Sequence, residues 1–268
     1  NGVIPCDVVF NLGGRKLGVE DSNISMSGYL KMLSQFGEGN LVASSGLVEE
    51  MRLVKDEAEI ESTRKACAIA CKTFDHMCEF LKPGITEKEA AAELEYSLKK
   101  GGAEDLSFST ILVSGANTSL PHGAPSDKKI EKGDFVTLDF GCKVDGYCSD
   151  MTRTVAVGEP SPKMREVYNL VLKAQLAACD GIRAGVTGIE ADRLARDVIE
   201  DAGYGKYFGH GLGHGTGLQI HEDPRLSSLN NLPLEKGNIV SIEPGIYLPV
   251  EFGVRIEDLV VVEEFGII

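Results

Sequence analysis

The spacing of apolar residues before residue 52 predicts a few short elements. Apolar runs predict strands around Asp7–Phe10, Lys16–Val19 and Asn40–Ala43, and the stretch Met26–Phe36 predicts a helix. Together these elements are too few to bury a core of their own. We therefore expect this region to be the last part of a larger domain.

From Asp56 onward the apolar spacing becomes helical. Ile60, Ala66, Ala70 and Phe74 recur near the period of an amphipathic helix, which predicts one long helix from Asp56 to about Phe80. Shorter helical and strand-like segments then follow one another to the end of the chain. The sequence therefore changes its organisation near residue 52.

Two segments of the sequence each have a second, similar copy later in the chain. The segment at 78–102 (CEFLKPGITEKEAAAELEYSLKKGG) matches 179–203 with an offset of 101, and EKGDFVTLDFG at 131–141 matches EKGNIVSIEPG at 235–245 with an offset of 104. In the longer pair, a glycine is expected to end one helix, Thr-x-x-Glu opens the next, and a second glycine stops it. The repeat predicts an α+β fold with pseudo-twofold symmetry over residues 56–268.

The shorter repeat places one acid in each of two apolar strands. Asp139 aligns with Glu243, and a lone carboxylate buried among apolar residues is costly unless it is paired or binds a metal. Asp145-Gly146 predicts a hairpin turn after the first strand. Because the midpoint of Asp139 and Asp150 falls at residues 144–145, we expect these two acids to lie nearly opposite each other across the hairpin.

The second copy predicts an equivalent pair of acids. Glu243 and Glu257 have their midpoint at Val250, inside the connecting loop. Strand alternation puts Arg255 on the face of Glu257 and Asp258 on the opposite face. We therefore expect four carboxylates to converge where the two halves meet.

Three histidines lie between the two hairpins. The stretch FGHGLGHGTGLQIHE contains His210, His214 and His221, which bring nitrogen ligands to an otherwise oxygen-rich site. One histidine and four carboxylates suit two divalent cations about 3.5–4 Å apart. Mixed nitrogen and oxygen ligation without thiolate fits Mn, Co, Zn or Fe(II) and does not choose among them.

Composition restricts the partners of the chain. A formal net charge of −14 with no basic stripe excludes nucleic acid as a partner. No apolar run approaches the roughly 20 residues of a membrane helix, so no membrane association is expected. Seven cysteines at irregular spacings favour a reducing compartment, and we expect a cytoplasmic protein.

Taken together, these motifs resemble the metallopeptidases of the pita-bread fold, which include methionine aminopeptidases, Xaa-Pro aminopeptidases and prolidases. The resemblance covers roughly residues 50–268 and implies two divalent metal ions, with Mn favoured over Co, Zn or Fe. The metal ligands that it implies are Asp139 in LDFG, Asp150 in CSDMTRT, His214 in GHGLGH, Glu243 in IEPG and Glu257 in RIED.

The same resemblance implies roles for further residues. His122 in PHGAP and His221 in IHE match two substrate-facing histidines: we expect His122 near the scissile nitrogen and His221 at the oxyanion. Glu243 would take and return the proton of the attacking water. Arg255 would orient a ligand carboxylate or the substrate, and His210 would line the pocket edge.

Within this family, the motifs are similar to the Xaa-Pro branch. That branch implies a peptide substrate with proline in the second position, cleaved as a dipeptide or at the N-terminus of a longer peptide. A prolidase needs a cation for the proline carboxylate, and Arg255 alone does not decide between the two activities. A homodimer is left open as the oligomeric state.

The resemblance also divides the chain. MRLVKDEAEI at 51–60 is similar to the join between domains in the Xaa-Pro branch. We expect residues 1–52 to be the C-terminal remnant of an N-terminal α/β domain plus a linker, and 53–268 to be the catalytic domain. The alternatives are a non-catalytic binding module of the same fold, a metal-free creatinase-like hydrolase, and a purely structural ion-pair network around Arg153 and Arg255.

Overall fold

The computed structural model describes residues 16–268. The chain divides into two compact units, the first ending at Met51 and the second running from Arg52 to Ile268. The strand predicted around Asp7–Phe10 lies outside the described residues.

The described part of the first unit is a small β-α-β arrangement. Strand β1 (Leu17–Val19) pairs in parallel with β2 (Leu41–Ala43), and helix α1 (Met26–Phe36) connects them. Ser25 caps α1 by accepting a hydrogen bond from the Gly28 amide. The strands and the helix lie where the apolar spacing predicted them.

Helix α2 (Leu47–Leu53) crosses the boundary between the units. The second unit then contains two pairs of helices: α3 (Glu57–Phe80), α4 (Glu87–Lys100), α5 (Pro162–Gly181) and α6 (Gly188–Asp201). The predicted capping boxes are present at the starts of α4 and α6, where Thr86 pairs with Glu89 and Thr187 with Glu190. No helix within residues 16–268 is long and apolar enough to cross a membrane.

The glycines of the longer repeat differ in where they lie relative to the helix ends. Gly102 and Gly203 follow the second helix of each pair with φ of +106° and +82°, as expected for helix stops. The prediction that Gly84 ends the first helix was wrong, because α3 already ends at Phe80. Pro83 disfavours helical conformation in the residue before it, and Gly84 instead forms the following turn at φ +100°.

The strands of the second unit pair antiparallel. The first repeat contains β3 (Asp105–Leu106), β4 (Ile111–Ser114), β5 (Phe135–Phe140), β6 (Cys142–Val144), β7 (Tyr147–Cys148) and β8 (Met151–Ala156). The second contains β9 (Gly213–Gly215), β10 (Glu222–Leu226), β11 (Ile239–Ile242), β12 (Gly245–Leu248), β13 (Phe252–Arg255), β14 (Asp258–Glu263) and β15 (Gly266–Ile267). The sheet orders are β4-β5-β8, β3-β6-β7, β10-β9-β11-β14-β15 and β12-β13. Helix pairs combined with antiparallel sheets confirm the predicted α+β class.

The register of the first hairpin corrects one expectation. Asp145 and Gly146 form the turn with φ of +50° and +81°, as predicted, but Asp139 lies opposite Thr152. The same register continues through β6 and β7, so Asp150 falls opposite Gly141. The two acids are therefore diagonal neighbours on one face of the hairpin, because its centre lies one residue beyond their midpoint.

The second hairpin has the predicted register. Gly245 pairs with Arg255 in β12 and β13, and Ile242 pairs with Asp258 in β11 and β14. Both pairings are centred on Val250, so Glu243 and Glu257 lie opposite each other.

Each repeat packs its helices on one face of its own sheet. Val136, Leu138 and Phe140 of β5 belong to the core beneath α3 and α4. An equivalent core lies beneath α5 and α6 and includes Val240 and Ile242 of β11. Because side chains alternate along a strand, Asp139 points away from the helices, toward the region where the repeats meet.

Candidate metal centre and substrate pocket

The residues selected from the sequence lie around one pocket of about 480 Å³. Its walls include every predicted ligand and every predicted substrate-facing residue: His122, Asp139, Asp150, His210, His214, His221, Glu243, Arg255 and Glu257. These residues come from both repeats and from the loops beside them. The convergence predicted from the duplicated strands is therefore present.

Three of the predicted ligands form the tightest cluster. Asp150, His214 and Glu257 each offer a ligand atom, and these atoms all lie within 4.8 Å of one another. Asp150 follows β7 at a point where the two backbone segments of the hairpin lie in close contact. A Cβ built on Gly141 would lie only 1.9 Å from the Ser149 carbonyl oxygen. A glycine at 141 is therefore needed for Asp150 to hold this position.

His214 has the protonation and orientation of a metal ligand. Its Nδ1 lies 3.0 Å from the Gly215 carbonyl oxygen, which places the proton on Nδ1. The free Nε2 lies 3.6 Å from Asp150 Oδ2 and 3.4 Å from Glu243 Oε1. Burial lowers the pKa of His214 to about 4, so at neutral pH these contacts join a neutral imidazole to carboxylates and are not ion pairs.

The carboxylates of Asp150 and Glu257 are buried together. Burial, followed by the charges of the neighbouring acids, raises both pKa values well above the ordinary range. Thr152 Oγ1 donates a hydrogen bond of 2.6 Å to Glu257 Oε2. Among the residues that the structure describes, no donor hydrogen-bonds the Asp150 carboxylate, and no lysine or arginine forms an ion pair with either acid.

Arg255 is committed to contacts within the protein. Its guanidinium pairs with Asp139 and donates to the Tyr247 hydroxyl at 2.8 Å and the Pro121 carbonyl at 3.2 Å. Its Nε donates to Thr152 Oγ1 at 3.0 Å. Arg255 therefore orients Asp139 directly and contacts Glu257 through Thr152.

Glu243 lines the pocket beside this cluster. Ser241 Oγ donates a hydrogen bond of 3.1 Å to Glu243 Oε1, and the Glu243 amide donates to the Leu212 carbonyl at 2.8 Å. Burial raises the pKa of Glu243 to about 7, while Arg255 opposes the rise and Asp139 adds to it. In the metal-free protein, a carboxyl with this pKa can both accept and release a proton near neutral pH.

Three further histidines line the pocket. The ring centroid of His221 is 4.4 Å from that of His214, and burial lowers the pKa of His221. His210 donates from Nδ1 to the Gly211 carbonyl at 2.8 Å and accepts at Nε2 from the Tyr247 hydroxyl at 2.9 Å. His122 lines the pocket as an exposed side chain. His76 lies outside the pocket, 2.7 Å from Glu93, as a structural histidine would.

Three residues of the site were missed in the sequence. Tyr247 joins His210 to Arg255, and alternation from Glu243 through Gly245 could have placed it on the site face. Thr152 lies two residues after Asp150 and could have been found in the same way. Arg225 lines the pocket from β10, and only its position four residues after His221 could have indicated it.

The donor set fits divalent cations. Arg153 pairs with Asp258 and with the backbone of residues 152 and 257, and Arg255 forms its ion pair with Asp139. A purely structural ion-pair network therefore leaves Asp150, Glu243 and Glu257 without a cationic partner among residues 16–268. Several buried carboxylates beside a neutral imidazole are stable together when cations lie between them.

Comparison with known proteins gives the family. Residues 61–264 match the model of metallopeptidase family M24. The chain is 47% identical over 220 residues to a Xaa-Pro dipeptidase of Pyrococcus furiosus, and this alignment covers 82% of this chain and 63% of that protein.

Solved structures show the same architecture. A Xaa-Pro dipeptidase from Bacillus anthracis superposes with a TM-score of 0.93 at 49% identity, covering 95% of this chain and 71% of the other. An X-Pro aminopeptidase from Thermotoga maritima gives a TM-score of 0.91 at 44% identity, covering 95% and 72%. The α+β architecture is the pita-bread fold, as the motifs predicted. The chain belongs to metallopeptidase family M24.

Proposed function

We propose that this chain carries the active site of a metal-dependent peptidase that hydrolyses the Xaa-Pro bond, with dipeptides as its preferred substrates. The observation that carries this proposal is a cluster of buried oxygen and nitrogen donors beside a pocket that contains one uncommitted guanidinium, that of Arg225. The similarity to Xaa-Pro dipeptidases and to an X-Pro aminopeptidase supports the bond specificity.

The metal ligands that we propose are Asp139, Asp150, His214, Glu243 and Glu257, which would hold two divalent cations. Manganese is our first choice, and Co, Zn and Fe(II) have compatible ligand preferences. When bound, such cations supply Lewis acidity and an activated water at neutral pH.

The side chains of the pocket would then move the proton and stabilise charge. Glu243 takes the proton of the attacking water and returns it to the leaving nitrogen. His221 is neutral at neutral pH because its pKa is lowered, and one ring N–H can donate to the developing oxyanion. His122, which also lines the pocket, hydrogen-bonds the substrate near the scissile nitrogen.

Arg225 supports the preference for dipeptides. The cation that a prolidase needs for the proline carboxylate is not Arg255, because its guanidinium is already bonded to Asp139, Tyr247 and Pro121. No described residue accepts a hydrogen bond from the side chain of Arg225, which lies exposed in the pocket wall. Arginine binds carboxylates in a bidentate manner, so a free C-terminus after the proline fits this residue.

Substrate comparison tests the proposal. We expect the Mn-loaded protein to hydrolyse Ala-Pro faster than Ala-Pro-Ala and to leave Met-Ala intact, and we expect the chelated protein to be inactive until Mn, Co or Zn is added. Equal rates on the dipeptide and the tripeptide would favour an aminopeptidase. Preference for Met-Ala or activity without metal would refute the bond specificity or the metal dependence.

Other expectations stay as proposals. A metal-free hydrolase or binding module is disfavoured by the complete donor set around the pocket. The cysteines of the described region are free thiols, which supports a cytoplasmic location. The division into a domain remnant at 1–52 and a catalytic domain at 53–268 is likewise proposed, as is the assignment of roles to His122, His210, His221 and Arg255.

A further inference from the structure

The segment between α2 and α3 is anchored to the second repeat. The Lys55 amide donates to the Gly237 carbonyl at 2.9 Å, and the Asn238 side-chain amide donates to the Leu53 carbonyl at 2.9 Å. The side chain of Lys55 is only 2% exposed. Its ammonium group is therefore held inside the protein at a fixed place beside the second repeat.

Two cations of this segment bind the same carboxylate. Lys55 Nζ lies 3.2 Å from Glu222 Oε2, and the Arg52 guanidinium pairs with Glu222 Oε1. Glu222 is itself 7% exposed and directly follows His221 in the chain. This cluster, which we call the Arg52–Lys55–Glu222 clamp, is not used by the proposed reaction.

The clamp packs directly on the loop that carries His221. The Gln219 amide donates to Glu222 Oε1 at 2.8 Å. A Cβ built on Gly217 would lie 2.8 Å from Glu222 Oε2 and 2.9 Å from Lys55 Cε. The loop over residues 217–222 therefore has its backbone fixed against the clamp on one side.

His221 depends on this backbone for its orientation. Its ring packs against that of His214, and no described residue hydrogen-bonds its imidazole. A catalytic imidazole that lacks a hydrogen-bonding partner keeps its direction only if the backbone beneath it is held in place. A buried ion pair contributes little net stability, because desolvation offsets most of the attraction, but it does impose a defined geometry.

We infer that Arg52 and Lys55, acting through Glu222, are positioning residues that aim His221 at the substrate. The inference rests on the proposed peptidase function and adds the segment between α2 and α3 to the parts that shape the active site. None of the three residues lines the pocket.

A kinetic cycle tests the inference. We expect Lys55→Met to lower kcat on Ala-Pro by about 10- to 100-fold, the range seen when groups that orient an active-site residue are removed, with a smaller change in KM. In the His221→Ala background, Lys55→Met should have little further effect, because the clamp acts only through His221. Lys163→Met, which removes an exposed pair with Glu251, is the matched control and should leave kcat unchanged.

Arg52 provides a second variant in case Lys55→Met fails to fold. Its side chain is partly exposed, so Arg52→Met removes one arm of the clamp at smaller cost to the core. We expect Arg52→Met to lower kcat and Arg52→Lys to restore most of it. Equal losses of kcat from Lys55→Met in the presence and absence of His221 would overturn the inference, and so would unchanged kcat in both clamp variants.

Imidazole NMR separates this inference from the proposed function. The chain has five histidines, so the ring signals of His221 can be assigned by their loss in His221→Ala. We expect these signals to shift or broaden in Lys55→Met and to stay unchanged in Lys163→Met, whether or not the protein cleaves Xaa-Pro peptides. An unperturbed His221 signal overturns the inference, whereas a wild-type protein inactive on all Xaa-Pro peptides overturns the proposed function.

Discussion

Replacing Glu243 by glutamine should stabilise the metal-free protein at alkaline pH while removing its activity. The pKa of Glu243 is raised from 4.5 to about 7 by burial, so its ionised form is disfavoured in the folded state. Each pH unit between these two values corresponds to about 1.4 kcal/mol, which gives a cost of about 3 kcal/mol when the carboxylate is charged. Glutamine keeps the shape of the side chain and removes that charge.

The sign of the pH dependence follows from proton binding. Between pH 4.5 and pH 7 the folded state of the metal-free protein holds a proton on Glu243 that the unfolded state has lost. The wild-type protein therefore loses stability as the pH rises through about 7, and this part of the loss is absent in Glu243→Gln. We subtract the free energy of unfolding of the wild type from that of Glu243→Gln. This difference should be larger by about 2.5 kcal/mol at pH 8 than at pH 5.

Urea unfolding of the chelated proteins at pH 5, 6, 7 and 8, followed by circular dichroism, measures this difference. Glu235→Gln is the matched control, because Glu235 is exposed in the same segment, and its difference from wild type should not vary with pH. The metal-loaded Glu243→Gln should lose about 10²- to 10⁴-fold in kcat on Ala-Pro, the usual contribution of a general base. A stability difference independent of pH would refute the claim that burial disfavours the charged form of Glu243. Near-normal turnover would refute its role in proton transfer.

Two further substitutions test other parts of the site. Arg225→Met should lower kcat/KM for Ala-Pro by roughly 10- to 150-fold, the equivalent of about 1.5–3 kcal/mol for a hydrogen bond to a charged group. The same variant should change the hydrolysis of Ala-Pro amide little, because the amide lacks the carboxylate. Equal losses on both substrates would show that Arg225 does not bind the carboxylate. Glu87 is fully buried and accepts from the amides of Ser114 and Ser126 at the two ends of the loop that carries His122. Glu87→Gln should therefore cost about 1–3 kcal/mol in urea unfolding while the exposed Glu131→Gln costs under about 0.5, and similar values for the two variants would contradict this anchoring.

The second hairpin could be predicted from the sequence and the first could not be predicted fully. In the second, the two acids are equidistant from the centre of the loop at Val250, so their spacing alone gave the register. In the first, the turn chemistry of Asp145-Gly146 and the midpoint of the acids disagree by one residue, and the turn determines the register. Local turn conformation is a backbone constraint, whereas the midpoint rule assumes that the two acids must face each other.

Contacts between segments that are distant in the chain could not be predicted from the sequence. Neither Arg225 nor the Arg52–Lys55–Glu222 clamp is part of the repeat, and the partners in the clamp are about 170 residues apart in the chain. Alternation and capping rules act over a few residues, so they place Asp139, Glu243 and the helix starts but not these contacts. Sequence reasoning therefore identified the predicted ligands and histidines that face the pocket, but it missed Arg225 and the residues that hold the pocket walls in place.

The duplicated strands produce two unequal walls, and Arg255 is one cause of the inequality. Arg255 lies two residues before Glu257, and the residue two before the equivalent acid Asp150 is Cys148, so only the second hairpin has a guanidinium at this position. That guanidinium reaches across to Asp139 in the first hairpin and opposes the rise in its pKa. Glu243 has no ion pair with a lysine or arginine within residues 16–268, and its pKa lies near 7. Arg255 also opposes the rise in the pKa of Glu243, but only Asp139 forms an ion pair with the guanidinium. The duplication therefore supplies two carboxylates in different surroundings, because an arginine of the second copy forms its ion pair with the acid of the first.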